Sequence, residues 1–399
     1  MDWSLKQSVF IWRKNMTEKL FYANAYQKTF EATVTDCREG KKGYEVILDR
    51  SAFYPEGGGQ PGDTGILQCA DQTVEVTDTH EKDGEILHFC GQPLEVGRKI
   101  TGTVDWERRF DLMQNHSGEH IVSGLVHQKF GYDNVGFHMG KDTVTIDFNG
   151  EFTVEDMQEF ERAANERVWA NEKVDITSYT EEEVKAVEYR SKKELHGMVR
   201  IVTFPNADVC ACCGTHVSYT GEIGLIKLIS LQKFKGGMRM EMLSGRRAMD
   251  YVAEICRQNQ QISVALSAKP METAEAVEHL KKTQMDQQFQ MGALEQKLFQ
   301  NMAKQYEGSG SVLLFEEDLA ADSVRKLAAE IMETCEGRCV VCSGDDEHGY
   351  KYAMGEKDGD LRVLVKEFNT VLNGRGGGKP FFAQGSVNAT RKEIEEFLK

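Results

Sequence analysis

The sequence predicts an α+β chain of several domains: a small N-terminal antiparallel β-barrel, an α/β domain with metal-type ligands, a helical hairpin or coiled-coil arm, and a small C-terminal α/β domain. Three observations predict it. Apolar and polar residues alternate with period two through residues 28–105, with turn residues at short intervals, which is the pattern of a small antiparallel barrel. Apolar residues recur at heptad spacing between 244 and 307. Gly308-Ser309-Gly310 then marks a linker, beyond which short apolar runs alternate with helical patterns. A length of 399 residues suits two to three domains, each able to bury a core.

Residues 1–15 precede a second methionine, Met16, and the stretch from Met16 to Phe21 reads as a natural start. The preceding segment is expected to be a non-native or disordered extension. The barrel domain is expected over 16–107, with strands at Phe30–Val34, Tyr44–Leu48, Thr73–Val76 and Ile100–Val104. Inside it lies Tyr54-Pro55-Glu56-Gly57-Gly58-Gly59-Gln60-Pro61-Gly62-Asp63-Thr64-Gly65. So glycine-rich a segment could approach a ligand closely, or could be a tight turn between strands. No Gly-Lys-Ser/Thr follows, so it is not a Walker loop.

The α/β domain is expected over 108–243. Helices are read at Phe110–Phe130 and Val154–Ala170, and strands at Val144–Phe148, Val199–Val202 and Ile223–Ile229. The arm follows over 244–307. Val252, Ile255, Asn259, Ile262 and Leu266 keep heptad spacing, as do Val277, Leu280, Met291, Leu294 and Leu298 beyond the break at Ser267-Ala268-Lys269-Pro270. This seam could be a coiled-coil dimer contact, or the two helices could pack on each other within one chain. The last domain, 308–399, is read as strands at Val312–Phe315 and Cys339–Cys342, a helix to Thr334 capped by Asp322 or Ser323, a helix at Leu361–Leu372, and a final helix from Thr390.

The formal net charge is −16 and the isoelectric point near 5.2, which argues against a non-specific nucleic-acid binder. Arg108-Arg109, Arg190 to Lys193, Lys233 to Arg239 and Arg375 to Lys379 remain candidate basic patches, each also readable as solvated surface charge. No apolar run approaches the roughly 18 residues a membrane span needs, and no signal-peptide pattern opens the chain. A cytoplasmic location without a membrane partner is expected. The ten cysteines would then be reduced, most of them as small buried hydrophobes.

Two ligand pairs stand out. His116 and His120 lie in Gln114-Asn115-His116-Ser117-Gly118-Glu119-His120, and Cys212 and His216 in Cys212-Cys213-Gly214-Thr215-His216. Each pair is spaced i, i+4, which on a helix puts both side chains on one face about 6 Å apart. Three imidazoles and a thiolate suit zinc better than calcium or magnesium, so one zinc ion per chain, held by distant segments, is expected. Either pair alone is a weak signal and reads better as ordinary core or surface residues; both pairs in one domain-sized stretch favour the metal. His127, His138 and His196 are read as ordinary histidines. Cys335, Cys339 and Cys342 could mark a second metal site, but a buried strand through Cys339-Val340-Val341-Cys342 explains them better.

Four motifs resemble, in order, the editing half of alanyl-tRNA synthetase. They are Gly-Gly-Gly-Gln-Pro-Gly-Asp-Thr-Gly, His-Ser-Gly-Glu-His, Cys-Cys-Gly-Thr-His-Val and Arg-Gly-Gly-Gly-Lys-Pro-Phe-Phe-Ala-Gln-Gly. The chain is similar to the free-standing alanyl-tRNA editing proteins of the long type, which carry the synthetase's C-terminal domain. The likeness covers nearly everything after Met16. No stretch resembles the aminoacylation domain, so the resemblance implies editing without charging: ATP-independent hydrolysis of the ester in mischarged tRNA(Ala). Serine is the usual wrong amino acid, with glycine as another. The zinc positions carry over to His116, His120, Cys212 and His216. Cys212 is chosen over Cys213 because it keeps the family's spacing to His216. The family more often has glycine at Cys213, Cys210 is an additional thiol, and Glu119 stands where the synthetases commonly have threonine.

An aminoacyl ester is already activated, so its hydrolysis needs a positioned water and a stabilised oxyanion. Zinc could lower the pKa of a water or polarise the carbonyl. Four protein ligands form a closed set, as in structural sites, whereas catalytic zinc keeps a position open, and both readings stand. Glu119 could act as general base, hold the substrate's ammonium group, or be a solvated helix residue. Ser117 and Thr215 are the other pocket candidates in these motifs. Gly58, Gly59 and Gln60 could close over the terminal adenosine. Arg375, Gly376, Gly377, Gly378 and Lys379 are expected to contact tRNA as a glycine-rich loop flanked by cations, with a simple turn as the plain alternative. The rival readings are a non-catalytic tRNA-binding protein with a structural zinc, and a metallohydrolase of small esters or amides. A second copy of the chain, met through the arm or the C-terminal domain, is the other partner considered.

Overall fold

The period-two alternation closes into a barrel in a computed structural model that describes residues 16–40, 43–191 and 197–399. The expected extension at 1–15, together with Lys192, Lys193 and His196, lies outside the described residues. The chain divides into two units, residues 1–258 and 259–399.

The first unit opens with β1 (Glu18–Lys19), α1 (Leu20–Ala23), β2 (Thr29–Gly40), β3 (Gly43–Leu48) and β4 (Arg50–Ser51), which pairs with β1 in parallel. Strands β5 (Gly65–Cys69), β6 (Gln72–Lys82), β7 (Glu85–Cys90) and β8 (Lys99–Val104) complete a closed barrel in the order β2-β3-β7-β6-β5-β8. Val34, Val46, Leu48, Leu67, Val74, Val76, Ile100 and Val104 fill it together with Phe53. Each such buried aliphatic side chain contributes about 1.5–3 kcal/mol. The sequence pattern does not mark β5 and β7. In β7, Ile86, Leu87 and His88 are consecutive and all buried, so no alternation shows. β5 starts directly at the end of the glycine-rich segment.

The same unit continues with α2 (Trp106–Phe130), β9 (Asn134–Met139), β10 (Val144–Phe148), α3 (Val154–Ala170), β11 (Asp175–Tyr179), β12 (Val199–Phe204), β13 (Asp208–Ala211), β14 (Ile226–Phe234) and β15 (Gly237–Ser244). One sheet runs β14-β15-β10-β9, and a second runs β11-β12-β13. Leu112, Ile121 and Val126 of α2 share a core with Phe160 and Val168 of α3 and with Ile146 and Met240 of the larger sheet. Two glycines let β15 and the β12–β13 turn approach α2 closely. A Cβ on Gly118 would lie 2.1 Å from Ser244 Oγ, and one on Gly124 would lie 2.2 Å from the carbonyl oxygen of Ala207. The strand expected from Ile223 begins at Ile226, because Thr220–Ile223 form a 3-10 turn ending at Gly224 with φ 82°.

Helix α4 (Arg246–Leu266) runs from the first unit into the second, and α5 (Thr273–Lys304) follows. The break falls as expected. Ser267 is left-handed at φ 52°, and Asn259 Nδ2 donates to the carbonyl of Pro270 at 2.7 Å. The second unit then contains β16 (Val312–Glu316), α6 (Ala321–Thr334), β17 (Cys339–Asp345), β18 (Gly349–Gly355), α7 (Arg362–Val371), β19 (Arg375–Lys379), β20 (Phe382–Val387) and α8 (Arg391–Leu398). They form a sheet in the order β16-β17-β18-β20-β19.

Two expectations are corrected by the second unit. Arg375 to Lys379 are neither loop nor turn but an exposed edge strand, antiparallel to β20. Glycine is required there by the neighbouring backbone: a Cβ on Gly376 would lie 2.4 Å from the carbonyl of Gln384, and one on Gly378 2.2 Å from that of Phe382. Helix α6 is capped by neither Asp322 nor Ser323. It starts at Ala321 without a side-chain cap, Ser323 Oγ donates to Glu295, and Asp322 pairs with Arg325 and Lys326. Strands β18 and β20 have no counterpart among the strands expected from the sequence. Among the described residues, no helix is long and apolar enough to cross a membrane.

Candidate metal centre

Helix α2 supplies the first ligand pair. Asp105 caps it, its carboxylate accepting from the amide of Arg108 at 3.2 Å, and Gly131 ends it at φ 71°. His116 and His120 are one turn apart on a face turned inward, with ring centroids 5.2 Å apart and both side chains buried. The second pair departs from the sequence reading: Cys212 and His216 lie on an irregular segment after β13, not on a helix. That segment is shaped by its neighbours. Arg200 Nη1 donates to the carbonyls of Cys212 and Gly214 at 2.7 and 3.1 Å, and the amide of Val217 donates to Ser117 Oγ at 3.1 Å. Gly214 passes so near His116 that a Cβ there would sit 2.1 Å from its Cε1.

The result is a convergence of four donors. One ligand atom each from His116, His120, Cys212 and His216 lies within 4.8 Å of all the others. Cys212 Sγ is 3.5 Å from His116 Nε2, and the His216 ring centroid is 4.7 Å from that of His116 and 5.0 Å from that of His120. Cys213 is exposed, and Cys210 falls in a separate trio with His120 and Asp208.

Two of the rings are held from behind. His116 Nδ1 meets Gln60 Oε1 at 2.9 Å, and Gln60 in turn bonds the Thr215 hydroxyl through Nε2 at 2.8 Å and the Thr215 amide through Oε1 at 3.1 Å. Gln60 reaches this position because Gly57 and Gln60 exchange two backbone hydrogen bonds of 3.0 Å around Gly58 (φ 61°) and Gly59 (φ 85°). That is a two-residue turn requiring positive φ at both positions. The loop is fixed to α2 by a buried ion pair between Asp63 and Arg109. His120 Nδ1 meets Asp208 Oδ2 at 2.8 Å, and Arg190 grips the same carboxylate.

The electrostatics follow from this packing. Burial disfavours a Cys212 thiolate, but the facing His116, His216 and His120 outweigh it and hold the thiol well below its usual range. Burial lowers His216 to about 3, keeping its imidazole neutral. His120 is pulled the other way: burial opposes its protonation, while Cys212 and Asp208 outweigh that and hold it above its ordinary value. His120 Nε2 and both nitrogens of His216 are buried without a hydrogen-bond partner. Such atoms are costly unless a further group satisfies them. Three imidazoles and one thiolate with unspent buried nitrogens fit a tetrahedral zinc ion.

Glu119 is buried, with 4 % of its surface exposed, so it is no solvated helix residue. Its Oε1 accepts from Ser123 Oγ at 2.6 Å and from Asn134 Nδ2. Gly58 and Gly59 form the exposed tip of their turn. His127 is engaged elsewhere, at Tyr132 and Asp133. Cys339 and Cys342 are buried in β17, where burial pushes both thiols up, and no metal-type cluster includes them among the described residues. The sequence places Arg109 and Arg190 only in candidate basic patches, also readable as surface charge, and marks neither Asp208 nor Asn134. No spacing motif connects any of them to the histidines, so only the fold brings them in.

Parts of the chain match three families: tRNA synthetases class II (A) over residues 5–108, the threonyl and alanyl tRNA synthetase second additional domain over 199–241, and the DHHA1 domain over 307–399. The chain is 30% identical over 402 residues to the alanyl-tRNA editing protein AlaX-L of Pyrococcus horikoshii, covering 95% of this chain and 96% of that one. It is 26% identical to the alanyl-tRNA editing protein Aarsd1-A of Xenopus laevis, covering 90% of each. It is 34% identical to an alanine--tRNA ligase of Halobacterium salinarum, covering 92% of this chain and 42% of the ligase. Among solved structures, the C-Ala domain of Aquifex aeolicus alanyl-tRNA synthetase aligns with 21% identity and a TM-score of 0.20, over 23% of this chain and 94% of that one.

Proposed function

The chain belongs to the alanyl-tRNA editing protein family, and from that premise we propose that it deacylates mischarged tRNA(Ala) in the cytoplasm. The substrates are Ser-tRNA(Ala) first and Gly-tRNA(Ala) second, and the site is the four-donor cluster. The observation that carries the proposal is the convergence of His116, His120, Cys212 and His216 in a chain alignable along nearly its whole length with an editing protein.

In this reading the four side chains hold one zinc ion, with Cys212 as thiolate. Zinc, when bound, supplies a positive charge able to polarise an ester carbonyl or acidify a water. The chain's own residues do the rest. Gln60 and Asp208 fix the two α2 imidazoles, so the site is shaped before substrate arrives. Glu119, anchored by Ser123 and Asn134, offers a buried carboxylate to the substrate's ammonium group or to an attacking water. Thr215 and Ser117 hold the Cys212–His216 segment in place. The exposed Gly58-Gly59 tip lets backbone amides approach the terminal adenosine. Farther along the chain, Arg375 and Lys379 flank the bare β19 backbone, and Arg362 and Lys366 line the same cleft. These cations would meet the tRNA backbone, with the glycines allowing close approach. No ATP is needed, since the ester bond already stores the driving force.

A second reading has one observation in its favour. Four ligands can complete a tetrahedral zinc site, which is the structural arrangement, and the protein would then bind tRNA without cleaving it. A deacylation assay with the serine, glycine and alanine esters of tRNA(Ala), with and without chelator, separates the two. The expected result is hydrolysis of the serine and glycine esters, sparing of the alanine ester, and loss of activity on chelation. Intact serine and glycine esters in the presence of fully zinc-loaded protein would leave the binding-only reading.

A further inference from the structure

We propose that Asp208, gripped by Arg190, is the positioning residue that sets the tautomer and ring plane of His120 and so points its Nε2 into the donor cluster. This rests on the reading of the cluster as a zinc site and deepens it. The carboxylate is 1 % exposed and the imidazole 4 %. Asp208 Oδ2 lies 2.8 Å from His120 Nδ1 and accepts its hydrogen, which leaves Nε2 as the lone-pair nitrogen. Nε2 is the atom buried without a partner.

The carboxylate is itself immobilised. Arg190 donates from Nε to Oδ1 and from Nη2 to Oδ2, both at 2.8 Å, in a bidentate fork. The main chain of Arg190 is bound to the strand that carries Asp208: its amide donates to Val209 at 2.8 Å, and its carbonyl accepts from Ala211 at 2.9 Å. Clamp and carboxylate therefore move as one piece. Phe204, opposite Asp208 in the β12–β13 ladder, stacks on the His120 ring at 5.4 Å and 21°.

The helix is built to admit this strand. Gly124 stands one turn after His120, where a Cβ would lie 2.7 Å from the Cβ of Asp208. A side chain at Gly124 would push the carboxylate off the ring. The positioning device is thus a trio, His120, Gly124 and Asp208, set by one turn of helix and one strand end.

A partner of this kind behind a ligating histidine is worth about 10–100-fold in metal affinity. The test compares wild-type protein with Asp208→Asn, Asp208→Glu and Arg190→Lys. Zinc affinity is read by chelator competition, and the His120 tautomer by long-range nitrogen NMR of the metal-free protein at a pH high enough to leave the ring neutral. The expected result is a 10–100-fold loss of zinc affinity in Asp208→Asn, a smaller loss in Arg190→Lys, partial rescue in Asp208→Glu, and loss of the pure Nδ1–H signature in Asp208→Asn. Zinc affinity within twofold of wild type and an unchanged tautomer in folded Asp208→Asn would overturn the proposal. Should Asp208→Asn fail to fold, Arg190→Lys decides by the same two readings. Failure of wild-type protein to take up zinc would instead overturn the metal reading, while the NMR signature still judges the role of Asp208.

Discussion

Gln60, in the glycine-rich turn of the barrel, accepts the Nδ1 hydrogen of His116, in the long helix of the α/β layer, at 2.9 Å. The same amide bonds the hydroxyl and the backbone of Thr215, next to His216. One side chain from the barrel therefore ties together both halves of the ligand set. Gln60→Ala would release the His116 ring and leave the Thr215 amide buried without an acceptor. Zinc affinity should fall about 10–100-fold, as for other outer partners of ligating histidines. Stability should fall by about 1–3 kcal/mol for the unpaired buried groups. Chelator competition and urea unfolding measure the two, and unchanged values in both would dismiss the network.

Gly214→Ala should be as harmful without removing any polar group. The new Cβ would lie 2.1 Å from His116 Cε1 and 2.4 Å from its Nδ1, so ring or segment must move. Overpacking of this kind costs about 1–3 kcal/mol. Because the displaced ring belongs to the proposed ligand set, zinc uptake should suffer more than folding. The check is metal content after dialysis alongside a thermal melt: reduced metal with a melting point lowered by only a few degrees is expected, and full metal content would count against the contact.

The sequence displays the candidate metal centre only where its geometry is local. His116 and His120 are legible because helix periodicity itself places them together. Cys212 and His216 have the same spacing, yet they converge through an irregular segment held by Arg200 and Ser117, which periodicity cannot express. Asp208 and Arg190 reach His120 only through the β12–β13 turn and the gap at Gly124, and they leave no spacing signal. The barrel shows the same division. Strands with one wet face alternate and can be read, while β7, buried on both sides at Ile86, Leu87 and His88, cannot. β19 reads as a loop because its glycines carry no side chains to alternate, although tight pairing with β20 is the reason for the glycines.

His88 predicts how the barrel responds to acid. It is fully buried, with Nδ1 donating to the carbonyl of Val46 at 2.9 Å and Nε2 accepting from Ser51 Oγ at 2.7 Å. Burial lowers it to about 4, from an ordinary value of 6.5. Between those values the unfolded chain takes up a proton that the folded chain refuses. Stability is therefore present above pH 6.5 and is lost as pH falls towards 4, by about 3 kcal/mol for a shift of this size. His88→Gln, which does not titrate, should flatten that part of the stability curve. Urea midpoints of both metal-free proteins at pH 7 and pH 4.5 test it, and equal losses in the two would rule His88 out.

The arm carries the last prediction. Most of α5 from 278 to 291 is exposed around its whole circumference. A solitary helix gains little stability in water without a packed face. Leu280, Met291, Leu294 and Leu298 lie on one heptad seam and are each more than half exposed. Gln284 and Gln287 occupy the seam positions between them, and polar residues at such positions set register and oligomer state at some cost in stability. A second copy of the chain presenting the same seam would cover it, so two chains per particle are expected in light scattering after gel filtration. The double variant Leu294→Asp, Leu298→Asp puts charge into the seam and should yield single chains with unchanged far-ultraviolet dichroism. A wild-type protein that stays a single chain at tens of micromolar would show that this seam is not closed by self-association.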